Sequence, residues 1–98
     1  MNIYLMTNKE NHDVFDKYFN AVVVVAENED EAKKIHPYPY VFFKNDKWVC
    51  RPFSDEDEYE ILNNSVWPLY EDAIDVKLIG IASSDQKKGV VLSSYNVS

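Results

Sequence analysis

The stretch AVVVVAENEDEAKKI, residues 21–35, decides the fold class of this chain. Its opening residues 21–26 contain four consecutive valines, and such an uninterrupted β-branched run predicts a central strand covered on both faces. Asn28 then stands three residues before Glu31, which is the spacing of a helix N-cap and its capping box. The stretch therefore predicts a core strand followed directly by a helix at residues 29–35.

Shorter runs on both sides of this stretch predict the remaining elements. Five further strands are predicted from β-prone composition, at residues 3–6, 40–43, 47–50, 74–82 and 89–95. Asn45-Asp46 suits the tight turn of one hairpin, and the polar residues 83–88 suit the loop of a second hairpin between the last two strands. A second helix is predicted at 54–64, with Ser54 as N-cap and Asp57 at the capping-box position.

The length and the element order predict one domain. A chain of 98 residues buries only about 60–70% of its unfolded surface, so residues 1–98 are expected to share one modest core. The predicted fold class is α+β. It consists of a small antiparallel sheet of about four to six strands, packed with one main helix and carrying an aromatic-rich central segment at 38–66.

Charge and composition exclude several classes of function. The chain has 17 acidic and 10 basic residues, a net charge of −7, which opposes direct binding to a nucleic-acid backbone. Cys50 is the single cysteine, so no intrachain disulfide is expected. The N-terminal residues lack the basic and apolar segments of a signal peptide, and no apolar run approaches the ~20 residues that span a bilayer. We therefore expect a cytoplasmic protein without a membrane partner.

No catalytic, cofactor-binding or metal-ligating residues are assigned, and the prediction is that the protein is not an enzyme. The two histidines and Cys50 show no paired metal-ligand spacing. The two glycines, Gly80 and Gly89, are too few for a phosphate-binding loop or a dinucleotide fingerprint. Cys50 lies in an apolar context and is predicted to be buried. His36 is predicted to cap a helix C-terminus as a cation.

An acidic and aromatic segment between Arg51 and Lys77 is the strongest functional signal. It holds eight acidic residues and no Lys or Arg, and its aromatics are of the kind that anchor interfaces. The alternatives are ordinary solvation for the acids and a small second core for the aromatics, Trp67 in particular. The predicted partner-binding residues are Asp55, Glu56, Asp57, Glu58, Tyr59, Glu60, Trp67, Tyr70, Glu71 and Asp72.

Three stretches carry a resemblance to a known group of proteins. AVVVVAENEDEAKKIHP (21–37), DVKLIG (75–80) and GVVLSSYN (89–96) resemble a small family of uncharacterised proteins from bacteria and their phages. The resemblance implies no activity and gives no residue a role. Residues 38–66 depart from the family pattern and resemble an insertion on a common scaffold, which is where function often resides.

These observations favour a non-enzymatic, acidic protein-binding module that docks on a basic protein. If the phage resemblance holds, the specific version is an inhibitor of a host nucleic-acid-binding defence protein, anti-CRISPR-like or a nuclease inhibitor, with a DNA-mimicking surface. One alternative is a small-ligand or nucleotide-binding protein in which Trp48, Tyr38 and Tyr40 stack on a planar molecule. Another is a structural homo-oligomer, such as a homodimer, formed through an exposed strand edge.

Overall fold

The computed structural model describes residues 1–10, 18–51, 58–62 and 66–96, and this part of the chain is mostly β. Its strands form one four-stranded and one three-stranded antiparallel sheet. In chain order the elements are β1 (Asn2–Asn8), β2 (Tyr18–Ala26), α1 (Glu29–Ala32), β3 (Val41–Lys44), β4 (Lys47–Cys50), β5 (Tyr59–Glu60), a 3₁₀ helix (Glu71–Ala73), β6 (Ile74–Ile81) and β7 (Gly89–Asn96). Antiparallel pairing was predicted, but the strands were expected in one sheet and form two, and the expected main helix is wrong.

The larger sheet is built around the valine-rich strand, as predicted. Its strand order is β6-β1-β2-β7, so β2 has a neighbour on each side. Val22 pairs with Met6 and Val24 pairs with Tyr4, and all four side chains are buried on one face. Because successive residues alternate between faces, this register directs one face of the sheet into the core.

The predicted C-terminal hairpin is wrong, although both of its strands exist. β6 pairs with β1 and β7 pairs with β2, so the two strands lie at opposite edges of the sheet. The β1–β2 pair leaves two rows of unpaired backbone groups, and each late strand satisfies one of them. Residues 82–88 therefore cross the end of the sheet instead of forming a hairpin loop.

The helix begins as predicted but ends after one turn. The side chain of Asn28 accepts a hydrogen bond from the Glu31 N–H at 2.9 Å, which confirms the N-cap. Ala32, the last helical residue, is buried against the sheet. Ile35 instead forms a β-bridge with Phe42, which requires extended backbone. The helix therefore ends before residue 35, and Pro37 disfavours helical conformation at His36 as well.

The smaller sheet contains the hairpin predicted at Asn45-Asp46. Both turn residues have positive φ, 52° and 63°, as a type I′ turn requires, and Lys44 pairs with Lys47 across it. The second predicted helix is contradicted where it can be seen, because Tyr59–Glu60 is strand β5, paired with β4. Ser54 and Asp57, its predicted caps, lie outside the described residues. A free edge on β4 explains the strand, since pairing satisfies its backbone groups.

The two sheets share one core. Tyr4, Met6, Val22 and Val24 of the larger sheet belong to the same buried cluster as Val41, Trp48 and Cys50 of the smaller sheet, and Phe19, Ala26, Ala32, Trp67 and Ile74 complete it. The indole N–H of Trp48 donates to the Pro68 carbonyl at 3.0 Å, which ties the segment before the 3₁₀ helix to the hairpin. This tie positions the residues considered next.

Candidate protein-binding surface

The ten predicted partner-binding residues have different environments. Asp55, Glu56 and Asp57 lie outside the described residues. Trp67 is only 2% exposed and belongs to the core, so the structure supports the core alternative for this residue and corrects its assignment to a binding surface. Glu58 is partly buried, whereas the remaining five residues are exposed: Tyr59, Glu60, Tyr70, Glu71 and Asp72.

Glu58 is held in a local ion-pair cluster. Its two carboxylate oxygens accept hydrogen bonds from Lys44 Nζ at 3.0 Å and from Arg51 Nη2 at 2.7 Å. The Arg51 guanidinium also lies over the Phe42 ring, 4.6 Å from its centroid. Hydrogen bonding to Arg51, followed by hydrogen bonding to Lys44, lowers the pKa of Glu58. This carboxylate therefore joins the strands of the smaller sheet, and its charge is already neutralised.

A groove separates the smaller sheet from the segment that precedes the 3₁₀ helix. It has a volume of about 250 Å³. Its lining residues include Asp46, Lys47, Glu60, Ile61, Leu69 and Tyr70, and we call it the acidic–tyrosine groove. Tyr70 is 70% exposed, while Ile61 and Leu69 are partly buried and pack on the core. The groove thus combines an apolar lining with carboxylates and an accessible aromatic ring.

Charges around this groove are only partly compensated. Lys47 Nζ lies 3.0 Å from Glu60 Oε1, and both side chains are exposed, so this pair is weak and can be exchanged for another partner. Asp46, Glu71 and Asp72 form no ion pair with any residue in the described ranges. Glu71 and Asp72 directly follow Tyr70 in the chain and open the 3₁₀ helix. Three carboxylates without a cation therefore accompany one exposed tyrosine.

Asp46 is the residue that sequence reasoning missed. The sequence indicates its turn but not the segment that the turn faces, because Leu69 and Tyr70 are distant in the chain. Tyr59 was predicted to bind the partner together with Glu60 and Tyr70, but it does not line the same groove. Glu60 lines the acidic–tyrosine groove, whereas Tyr59 is absent from its lining.

Tyr59 lines a second groove, which shares Glu60 and Ile61 with the first. This groove has a volume of about 490 Å³ and is lined by Tyr38, Tyr40, Val41, Cys50 and Tyr59 among others. The rings of Tyr38 and Tyr40 stack with centroids 5.1 Å apart and an interplanar angle of 13°. We call it the tyrosine groove. Trp48, which was predicted to stack on a ligand beside them, is buried and cannot do so.

Two side chains with reactive potential lie in the interior. Cys50 is buried, as predicted. His36 is also buried, and its Nδ1 accepts a hydrogen bond from the Tyr38 N–H at 3.0 Å. Burial lowers the pKa of His36 to about 4, so its ring is neutral and the predicted cationic helix cap is wrong.

The described part of the chain shows neither a cluster of metal ligands nor a membrane-spanning helix. No three His, Cys, Asp or Glu side chains among these residues are grouped so as to hold a metal ion. None of the helices found there is long and apolar enough to span a bilayer. Comparison of the chain with protein-family models, curated proteins and solved structures found no match.

Proposed function

We propose that the chain is a non-enzymatic protein-binding module whose acidic–tyrosine groove receives a basic side chain of a partner protein. The observation that carries the proposal is exposed Tyr70, which lines the groove together with Asp46 and is followed directly in the chain by Glu71 and Asp72. These three carboxylates have no cationic partner among the described residues. An aromatic ring beside uncompensated carboxylates is suited to an Arg or Lys side chain, which gains both cation–π and charge-assisted contacts.

The rest of the molecule supports the same kind of partner. A net charge of −7 steers a basic protein towards the chain and speeds their encounter. Tyr is one of the residues that most often provide large binding energies at interfaces, because a rigid ring loses little entropy when it is buried. Tyr70 therefore supplies the anchor, and the carboxylates supply selectivity for a cation.

A narrower version of this proposal is inhibition of a host nucleic-acid-binding defence protein by a DNA-like surface. The overall acidity supports it, but the ion pairs of Glu58 and Glu60 reduce the charge of the smaller sheet. Imitation of a phosphate backbone needs a row of free charges. Recognition of one basic segment requires only the local group at Tyr70, so we favour the broader version.

The experiment compares a groove variant with a charge-matched control. The groove variant is Tyr70→Ala/Glu71→Gln/Asp72→Asn. The control, Glu29→Gln/Asp30→Asn, removes the same number of charges from exposed positions of α1. Each tagged protein is used to capture partners from nuclease-treated host lysate, and its affinity for a purified captured protein is then measured. We expect the groove variant to bind about tenfold or more weakly than the wild type, because it lacks both the aromatic anchor and two carboxylates, and the control to bind like the wild type.

A defined probe makes the test independent of any lysate. An Arg-rich peptide titrated into isotope-labelled protein should shift the amide resonances of Tyr70 and Asp46 and leave those of α1 unchanged. Equal binding by the wild type and the groove variant, in either assay, would rule out the proposed groove as the binding site.

A second candidate function is binding of a planar small molecule in the tyrosine groove. The observation that favours it is the concave arrangement of Tyr38, Tyr40 and Tyr59 around about 490 Å³, a volume typical of ligand pockets. Nucleosides and nucleotides should then perturb the resonances of these residues, and Tyr40→Ala should remove the effect. Tyr70→Ala is the matched control, because Tyr70 lines the other groove.

A further inference from the structure

The edge strand β6 presents unpaired backbone and apolar side chains. In the described part of the chain its single neighbour is β1, so no described strand pairs with its other side. Leu78, Ile79 and Ile81 are 54%, 50% and 82% exposed. A long apolar edge of this kind promotes strand pairing between molecules, and proteins usually protect it. Its exposure calls for a partner that adds a strand.

The sequence of β6 is suited to a second copy of itself. Asp75 and Lys77 pair with Thr7 and Leu5 of β1, so both project from the face of the sheet opposite the core. Both side chains are exposed, and they are two residues apart. On an antiparallel copy of β6, the same two charges run in the reverse order, so each acid can face a base.

Backbone geometry restricts the registers in which two copies can pair. Residues that direct their N–H and C=O groups towards a neighbouring strand alternate along β6, and in an antiparallel ladder they must meet residues that do the same. A strand paired with its own copy must therefore place the two-fold axis on a residue and not between two residues. The bulge at Ile79 interrupts the alternation, so the regular part of the strand runs from residue 74 to residue 78.

The charges select one of these registers. With the axis on Val76, Asp75 of each copy faces Lys77 of the other, which gives two opposite-charge pairs. An axis on Asp75 would place the two Asp75 carboxylates opposite each other, and an axis on Lys77 would oppose the two ammonium groups. Opposite charges stabilise a cross-strand pair and like charges destabilise it. In the favoured register Leu78 also faces Ile74 of the other copy, which covers part of its exposed surface.

We propose that the chain forms a two-fold symmetric homodimer through antiparallel pairing of β6 with β6, centred on Val76. The larger sheets of the two copies then form one continuous sheet. β7, the other edge strand, is less suited to this role because residues 89–96 contain no charged residue that could fix a register. The residues that line the acidic–tyrosine groove, including Tyr70, do not belong to β6. Dimerisation is therefore independent of the binding function proposed above.

Charge reversal gives a test that does not depend on losing the fold. Lys77→Asp places acid opposite acid in a homodimer, and Asp75→Lys places base opposite base. We expect each variant to raise the dissociation constant of the dimer about tenfold or more in sedimentation equilibrium, while circular dichroism shows a native fold. Lys87→Asp, in an exposed loop, is the control for Lys77→Asp, because both substitutions change the net charge by the same amount.

Mixing the two charge-reversal variants should restore association. Asp75 of the Lys77→Asp protein then faces Lys77 of the Asp75→Lys protein. The two substituted positions also face each other, and they oppose a new acid to a new base. Both cross-strand pairs are therefore of opposite charge again, as in the wild-type dimer.

Three results would overturn the proposal. The first is a wild-type protein that stays monomeric at its highest soluble concentration. The second is a Lys77→Asp protein that dimerises as strongly as Lys87→Asp, or an Asp75→Lys protein that dimerises as strongly as the wild type. The third is a pair of well-folded monomeric variants that do not associate when mixed, since restored complementarity is the specific consequence of the register centred on Val76.

Discussion

The imidazole of His36 is a titratable group inside an apolar core. Its ring lies edge-on to Trp48, with centroids 5.0 Å apart, and its Nδ1 accepts a hydrogen bond from the Tyr38 N–H at 3.0 Å. Protonation of this ring would place a charge in the core and remove the acceptor. A residue suited by sequence to a solvent-exposed helix end therefore links the stability of the fold to pH.

The expected consequence is a loss of stability in acid. The pKa of His36 is about 4 in the folded chain, below the unfolded value of 6.5. Its contribution is therefore fully present above pH 6.5 and is lost as pH falls towards 4, by roughly 2–3 kcal/mol. His36→Asn keeps an acceptor for the Tyr38 N–H but does not titrate. Urea unfolding at pH 7, 6 and 5 should show a smaller decline for the variant.

The two proteins differ at one titratable position, so acidic residues contribute alike to both pH profiles. His36→Asn is expected to be less stable at pH 7, because the ring contact with Trp48 is lost. The two proteins are therefore compared by how steeply the free energy of unfolding falls with pH, and not by its value at one pH. Parallel profiles for wild type and variant would show that His36 is not the group responsible.

Asn45 and Asp46 show how one element depends on local backbone chemistry. Their φ values of 52° and 63° lie in the left-handed region, which costs energy for residues that carry a Cβ. Asn and Asp tolerate it better than other such residues, and Gly tolerates it best. Register in the smaller sheet follows from this turn, since Lys44 pairs with Lys47 directly across it.

Asp46→Gly should stabilise the protein, whereas Asp46→Val should destabilise it. Glycine removes the strain at positive φ, and we expect a gain of roughly 0.5–1 kcal/mol against a loss of roughly 1 kcal/mol or more for valine. Chemical unfolding followed by circular dichroism measures both. Asp46 has no ion pair within the described ranges, so the difference reports on backbone conformation. The opposite order of stabilities would contradict the type I′ assignment.

The elements that sequence predicted well are those fixed by neighbouring residues. The turn at Asn45-Asp46 and the N-cap at Asn28 depend on a few adjacent side chains, and both are confirmed. The end of α1 depends on a bridge between Ile35 and Phe42, and the edge positions of β6 and β7 depend on which strands were left unpaired. Those partners are distant in the chain, so local patterns could not identify them.

The same distinction applies to the candidate site. Exposure of Tyr70, Glu71 and Asp72 follows from a polar, acidic segment and was predictable. Neutralisation of Glu58 was not, because Lys44 and Arg51 reach it only after β3, β4 and β5 have paired. Burial of Trp67 likewise required a three-dimensional core, since an anchoring aromatic and a core aromatic look alike in sequence.

At the scale of the whole molecule, two of the strand pairs join segments that are distant in sequence. β1 pairs with β6, and β2 pairs with β7, so the larger sheet joins the first quarter of the chain to the last. Such topologies have a high contact order, and their folding is slow because long loops must close before the contacts form.

We expect refolding, measured by stopped-flow dilution from urea, to take milliseconds to seconds. This is slower than the folding of helical bundles, which takes microseconds to milliseconds. Amide exchange should be slowest in β1 and β2, which have strands on both sides. Exchange in the smaller sheet should be faster. Equal or greater protection of β5, a two-residue edge strand, would contradict this order.

The position of β2 also has a consequence for a chain that emerges gradually from a ribosome. At about 5–20 residues per second, several seconds pass between synthesis of residue 26 and synthesis of residue 89. Throughout that interval the valine-rich strand has β1 on one side and no permanent neighbour on the other. The nascent chain therefore exposes an unpaired apolar strand edge, which is the kind of segment that chaperones shield and that promotes aggregation when synthesis is overloaded.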